Sequence, residues 1–316
     1  MKQAAPLSAQ HSTAQHSTAQ HSTAQHSTAQ HSTAQHSTTL FHQGERFMSI
    51  DFSNIFSIAG KTALVTGGSR GIGEMIAAGF LAAGAKVYIS SRKAEVCDAT
   101  AARLQQEYGG ECISLPSDLS TVEGTAALAA ELASREPQLD ILVNNAGASW
   151  GSPIDEFPEA GWDKVMDTNV KGVFFLTQKV LPLLRAAGDA QDPARIINIG
   201  SIDGLQSSPF SVFSYGASKA AVHHLTRFLA NHLAKDNITC NAIAPGPYPT
   251  WMLSTGVGFG GDTEGVDWDA IGKTNPRGRV GTPEDIAGLA IFLCSRAGAY
   301  VMGEVIASDG GIFNTR

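Results

Sequence analysis

No uncharged apolar run in the 316-residue chain reaches the ~20 residues needed to cross a bilayer, so no membrane span is expected. Cysteine is scarce. Cys97, Cys112, Cys240 and Cys294 form neither a C-x-x-C pair nor paired spacings, which suits a reducing compartment and argues against a disulfide framework. They are expected as buried small hydrophobes. Cations are scarce in the first 47 residues, where only Lys2 and Arg46 occur, and the same stretch lacks an apolar core. A mitochondrial presequence and a secretory signal are both disfavoured, so a cytoplasmic location is expected, with Met48 as the functional start of the folded part. From residue 48 onward 20 Lys and Arg face 28 Asp and Glu, a formal charge of −8 that argues against nucleic acid or an anionic membrane as partner.

Residues 9–38 contain no large apolar side chain and consist of six copies of Ala-Gln-His-Ser-Thr. Such a repeat cannot bury enough surface to offset chain entropy, and its period is too short for a solenoid unit. Its evenly spaced histidines lack Cys or carboxylate partners, so no metal site is expected. The organisation implied is a disordered tail over 1–47 and one folded domain over 48–316.

What the folded part does have, from Lys61 onward, is an alternation of short β-branched runs with longer Ala- and Leu-rich stretches. This pattern predicts an α/β fold, a doubly wound parallel sheet of Rossmann-like type with helices on both faces. Seven strands are expected at Thr62 to Thr66, Lys86 to Ser90, Glu111 to Leu115, Leu139 to Asn144, Arg195 to Ile199, Ile238 to Ile243 and Glu304 to Ala307.

Ligands of such sheets bind beyond the carboxyl ends of the strands, and the residues there are distinctive. The first strand runs into Thr66-Gly67-Gly68-Ser69-Arg70-Gly71-Ile72-Gly73, whose glycines allow a tight turn and close approach of a pyrophosphate to a helix beginning near Ile72. The second ends in Ser90-Ser91-Arg92 with no acid for ribose hydroxyls, so Arg70 and Arg92 are candidates for a 2′-phosphate and the expected cofactor is NADP(H). Ser117-Asp118-Leu119 and Asn144-Asn145-Ala146-Gly147 follow the third and fourth strands and are placed against the adenosine and its ribose. Pro245-Gly246-Pro247-Tyr248-Pro249-Thr250 follows the sixth, and the Gly-rich stretch from Tyr248 to Arg279 suits a substrate lid.

Tyr215 and Lys219 are four residues apart, on one face of a helix, where they can serve a single substrate. An ammonium beside a phenol favours the phenolate and is expected to lower the tyrosine pKa, making a proton-donating pair. Gly200-Ser201 places a hydroxyl 14 residues earlier, at the end of the fifth strand. His223 and His224 point in different directions on the same helix and are expected in core or interface packing.

TGGSRGIG, Asp118, NNAG, Asn169, Ser201, YGASK, PG with Thr250, and Ser308-Asp309-Gly310-Gly311 resemble, in that order, the short-chain dehydrogenase/reductase family. The likeness spans roughly Ala59 to Gly311. FSIAGKTALVTGGSRGIG, LDILVNNAGASWG, ARIINIGS and AGAYVMGEVI are similar to NADPH-dependent 3-oxoacyl thioester reductases of the rhamnolipid-biosynthesis type. The resemblance implies a catalytic tetrad of Asn169, Ser201, Tyr215 and Lys219: Ser201 orienting a carbonyl, Tyr215 protonating it, Lys219 assisting and holding the nicotinamide ribose, and Asn169 keeping a water. It also implies cofactor contacts at Gly67, Ser69, Arg70, Ile72, Asp118, Leu119, Asn145, Gly147 and Thr250. Gly71, Gly73, Arg92, Ala146, Pro245, Gly246 and Tyr248 complete the candidate cofactor site, with Tyr215 and Lys219 in both sets. Two features depart from the family pattern: the Ser201 to Tyr215 spacing is one residue longer than usual, and three prolines stiffen PGPYP.

The expected activity is NADPH-dependent reduction of a carbonyl, with a 3-oxoacyl thioester on acyl carrier protein or CoA as leading substrate. A dehydrogenase of a sugar, polyol or steroid is the alternative enzyme, and a dinucleotide-binding sensor or scaffold the alternative class. A homo-oligomer, as a tetramer, is expected from apolar residues near helical spacing: Val165, Met166, Val170, Val173, Phe174, Leu181 and Leu184, then Val222, Leu225, Leu229 and Leu233.

Overall fold

The computed structural model describes residues 52–256 and 265–315. The expectations for the 1–47 tail, its histidines and Met48 lie outside the described residues. Seven strands alternate with helices: β1 Thr62–Thr66, α1 Gly71–Ala82, β2 Lys86–Ser90, α2 Ala94–Tyr108, β3 Cys112–Ser114, α3 Val122–Arg135 and β4 Ile141–Asn144. The chain continues with α4 Glu159–Met166, α5 Gly172–Ala187, β5 Ala194–Ile199, α6 Phe213–Leu233, β6 Ile238–Pro245, α7 Trp251–Gly256, α8 Trp268–Gly272, α9 Pro283–Cys294 and β7 Val305–Ser308. All strand pairs are parallel, in the order β3-β2-β1-β4-β5-β6-β7.

Covering both faces explains why the strand sequences are almost continuously apolar rather than alternating. Successive side chains point to opposite faces, so Ala63 and Val65 of β1, Ile141 and Val143 of β4, and Ile197 and Ile199 of β5 enter a core with Ile76, Phe80, Ile286 and Leu293 of α1 and α9. Leu64, Leu142 and Ile196 enter the other core, with Leu128 and Leu132 of α3 and Leu176, Val180 and Leu184 of α5. The register places Leu64 between Tyr88 and Leu142. All four cysteines are buried and free, as expected, and burial pushes the Cys112 and Cys294 thiols up to about 12.

Strand boundaries differ from expectation mainly where pairing changes. β3 pairs only with β2 and is shorter than Glu111 to Leu115, whereas β6 extends to Pro245 because β7 continues its ladder. α6 starts at Phe213, so Tyr215 lies in its first turn. The apolar pattern from Trp162 to Leu184 is not one uniform helix: a π-helical turn at Asp167–Lys171 joins α4 to α5. Part of the apolar pattern serves the chain itself, since Val165, Val173, Leu184, Val222 and Leu233 are buried and Leu181 and Leu229 pack against the core, whereas Phe174 is exposed, as are Trp162 and Phe228 in the same stretches. The stretch from Tyr248 to Arg279 contains α7 and α8 rather than wholly irregular backbone, and 257–264 lies outside the described residues. Among the described residues no helix is long and apolar enough to cross a membrane.

Candidate active site

β1 and β4 are neighbours in the sheet although the chain visits β2 and β3 between them, so connections leave in opposite directions and a crevice opens at their carboxyl ends. The polar groups here lash the two strand ends together. Thr66 Oγ1 donates to Val143 O (3.2 Å) and accepts from Asn145 N (2.9 Å) and Ala146 N (3.0 Å). Asn145 Nδ2 donates to Thr66 O (2.9 Å) and Gly67 O (3.2 Å). The resulting cleft, about 1300 Å³, is lined from one side by Gly67, Ser69 to Ile72, Arg92, Asp118 and Leu119, and from the other by Ser201, Tyr215, Lys219, Tyr248 and Thr250 to Leu253.

The glycine-rich turn needs its glycines for two reasons. Gly67 and Gly71 have φ of +63° and +58°, the left-handed region that L side chains rarely enter. A Cβ at Gly67 would also come within 2.9 Å of Ala146 Cα. α1 begins directly after the turn, and Arg70 at its N-cap makes no side-chain cap, so no side chain covers the first helical N–H groups from that position. The Arg70 guanidinium instead lies over Trp251, 4.5 Å from the ring centroid. After β3, burial would raise the Asp118 carboxyl, but hydrogen bonds from Ser120 N–H and Oγ and the Arg92 charge bring it below its ordinary value.

On the opposite wall Ser201 ends the turn after β5 and Tyr215 reaches in from α6, with one helical turn further on Lys219. Lys219 is almost wholly buried, donates from Nζ to Ile199 O (2.7 Å), and lies 5.4 Å from the Tyr215 ring centroid. Burial pushes the Tyr215 phenol up to about 12, opposed by its hydrogen bond with Ser201 and reinforced by Asp203. Burial likewise lowers Lys219 to about 8. This corrects the expectation that the ammonium lowers the tyrosine pKa. In the chain by itself Nζ is committed to a carbonyl, and loss of hydration sets the direction of the Tyr215 shift.

A sequence profile described as Enoyl-(Acyl carrier protein) reductase matches residues 67–313. The chain belongs to the short-chain dehydrogenase/reductase family of oxidoreductases. The rhamnolipids biosynthesis 3-oxoacyl-[acyl-carrier-protein] reductase of Pseudomonas aeruginosa is 48% identical over 256 residues, spanning 81% of this chain and 97% of that one. Gluconate 5-dehydrogenase of Gluconobacter oxydans is 36% identical over 263 residues, 82% of this chain and 97% of that one. Among solved structures, the Pseudomonas aeruginosa RhlG/NADP active-site complex superposes with a TM-score of 0.76 at 48% identity, covering 82% of this chain and 98% of that chain. The resemblance carried by TGGSRGIG, NNAG and YGASK is thus borne out.

The short-chain dehydrogenase/reductase motifs do not all reach the cleft. Gly67, Ser69, Arg70, Gly71, Ile72, Arg92, Asp118, Leu119, Asn145, Ala146, Gly147, Pro245, Gly246, Tyr248 and Thr250 line it, together with Ser201, Tyr215 and Lys219. Gly73 does not. It is packed behind the turn, where a Cβ would run into Asn145 Nδ2 and Gly67 O, so its smallness admits Asn145 rather than a ligand. Asn169 is also outside the wall. The π-helical turn buries it, its Oδ1 accepts from Ala148 N (2.7 Å), and Nδ2 donates to Ala148 O and Ser218 Oγ (2.9 Å each). Ser218 Oγ in turn donates to Tyr215 O (2.7 Å), so Asn169 ties the loop after β4 to the first turn of α6.

Tyr248 is 2% exposed and its hydroxyl bonds Ser308 Oγ (2.7 Å), fastening the loop after β6 to β7. His223 is buried, as expected for core packing, with Nε2 3.4 Å from Ser201 N, and mainly through burial its pKa falls to about 4. Its ring occupies the space left by Gly200 and Gly204. His224 faces outward against Phe228. Trp251 was not singled out by sequence reasoning; the signal was an aromatic directly after PGPYPT, in a stretch with no helical period to place it.

Proposed function

We propose that this chain reduces a ketone to a secondary alcohol with NADPH, and that its substrate is a 3-oxoacyl thioester on acyl carrier protein or CoA. The observation that carries this reading is one cleft joining Ser201, Tyr215 and Lys219 to a glycine-rich turn and two arginines. The residues fit NADP(H): Gly67 and Gly71 leave the turn's backbone open, α1 presents uncovered N–H groups, and Arg70 and Arg92 suit a 2′-phosphate. When bound, NADPH supplies the hydride. Ser201 and Tyr215 hydrogen-bond the substrate carbonyl oxygen, Tyr215 transfers its phenolic proton to that oxygen, and the Lys219 ammonium stabilises the phenolate left behind. Asn169 acts one step removed, by holding the backbone of Tyr215 through Ser218.

The acyl reading rests on the apolar side chains Phe210, Val212, Met252, Leu253 and Ile271 that line the same cleft. A sugar acid, as the gluconate-type relative's name would suggest, would instead place its hydroxyls against polar lining such as Gln206 and Thr274, and would lose water without replacement along the apolar side chains. Exposed Trp162, Phe174 and Phe228 on α4 to α6 support a homo-oligomer. A turnover screen with NADPH tests the substrate. With 3-oxoacyl thioesters lengthened from acetoacetyl, kcat/KM is expected to rise by up to roughly 4-fold per buried methylene, from about 0.8 kcal/mol each. Faster turnover of keto-sugar acids, with no gain from chain length, would reject the acyl assignment.

The pH profile carries a second expectation. Lys219 keeps its ammonium only below about 8, whereas Tyr215 stays a phenol to about 12. The kcat/KM for NADPH reports groups in the free enzyme, so it should be level at neutral pH and fall above about pH 8 as Lys219 loses its proton. Initial rates from pH 6 to 10 check this; a profile level to pH 10 would mean that Lys219 either keeps its proton in the free enzyme or acts without its charge.

A further inference from the structure

Arg70 and Trp251 are about 180 residues apart in sequence and come from opposite walls of the cleft, yet the guanidinium lies over the indole at 4.5 Å from its centroid. The contact is not isolated. A Cβ at Gly71 would be 3.3 Å from Thr250 Cγ2, so the glycine-rich turn already lies against the residue preceding Trp251. Trp251 opens α7 and keeps 51% of its surface exposed, so burial in a core does not account for a tryptophan here. Among the described residues no carboxylate pairs with Arg70, whereas Arg92 already interacts with the Asp118 charge.

We propose that Trp251 is a specificity-determining residue for the 2′-phosphate of NADP(H), acting by presetting Arg70. This rests on the NADPH reading above. A free arginine samples many rotamers, and ordering it when a phosphate arrives subtracts from affinity. A guanidinium seated on an indole has given up much of that freedom beforehand. A cation–π contact at this distance engages the guanidinium's charge, while hydrogen bonds to phosphate use its N–H groups, several of which stay available, so the two contacts are compatible. NADH has no phosphate for those groups. Trp251 therefore strengthens binding of the phosphorylated cofactor and leaves the other unchanged, without itself touching the phosphate.

Equilibrium binding of NADPH, NADH, 2′,5′-ADP and ADP to the full chain tests this, for the wild type, Trp251→Leu, Trp251→Phe, Arg70→Ala and the Arg70→Ala, Trp251→Leu pair. Trp251→Leu is expected to weaken NADPH and 2′,5′-ADP roughly 2- to 5-fold, the range of an exposed cation–π contact, with NADH and ADP unchanged. Trp251→Phe should keep most of the effect, since a face remains. In the Arg70→Ala background Trp251→Leu should cost nothing further, because the partner it orders is gone. Equal weakening of all four ligands, or full additivity in the double variant, would overturn the proposal and leave Trp251 a support for α7. A wild type that binds NADPH no better than NADH would overturn the cofactor reading itself, an outcome visible before any variant is compared.

Discussion

Tyr215→Phe is expected to lower ketone reduction by about 10²- to 10⁴-fold, the usual worth of a general acid, while leaving NADPH affinity nearly intact. The ring is half-buried in the first turn of α6, and phenylalanine fills the same place, so the fold should hold. Only the hydroxyl is lost, together with its hydrogen bond to Ser201. Without it the product oxygen would emerge as an alkoxide with only the Ser201 hydroxyl aimed at it and no phenolic proton to accept. Single-turnover kinetics on a proven substrate, paired with NADPH binding, check both halves. Wild-type turnover in the variant would mean that the proton comes from another group. Lost NADPH binding would mean that the tyrosine belongs to the cofactor site first.

Lys219→Met is expected to remove turnover by a similar factor but, unlike the tyrosine variant, to weaken NADPH as well. The ammonium lines the cleft beside Gly147 and within 5.4 Å of the Tyr215 ring centroid, so its field acts on the phenol and on whatever ribose lies between them. Stability should change little. Two effects oppose: Ile199 O loses its 2.7 Å donor, worth about 1 kcal/mol net, and a buried charge disappears. Burial has lowered the Lys219 pKa from an ordinary value above 10 to about 8, so at neutral pH the ammonium persists but costs the folded state stability, and that cost is relieved when methionine replaces it. Thermal unfolding at pH 7 within a few degrees of wild type, with turnover lost, is the expected combination. A collapse of the melting temperature would place the residue in the framework rather than the chemistry.

Much of this molecule was legible in local sequence, for a physical reason. Strands such as TALVT and ILVN are largely apolar on successive residues because both faces of a parallel sheet are covered, and that pattern survives without knowledge of the partners. Gly67 and Gly71 announce positive φ, a property of the residue itself. The four-residue spacing of Tyr215 and Lys219 follows from helical pitch, so their sharing a face needed only a helix.

What tertiary structure alone decided are the effects that depend on who arrives from far away in the chain. The direction of the Tyr215 shift is one, because burial, which spacing does not report, raises the phenol. Gly73 is another: it makes room for Asn145, some seventy residues on, rather than for a ligand. Asn169 turns inward because of a π-helical turn that no periodicity marked, and its amide is then spent on Ala148 and Ser218. The Arg70–Trp251 stack belongs to the same class. Periodicity reports which face a residue takes within its own element, whereas desolvation, charge balance and stacking are set by the atoms that folding brings alongside, and those come from elsewhere in the sequence.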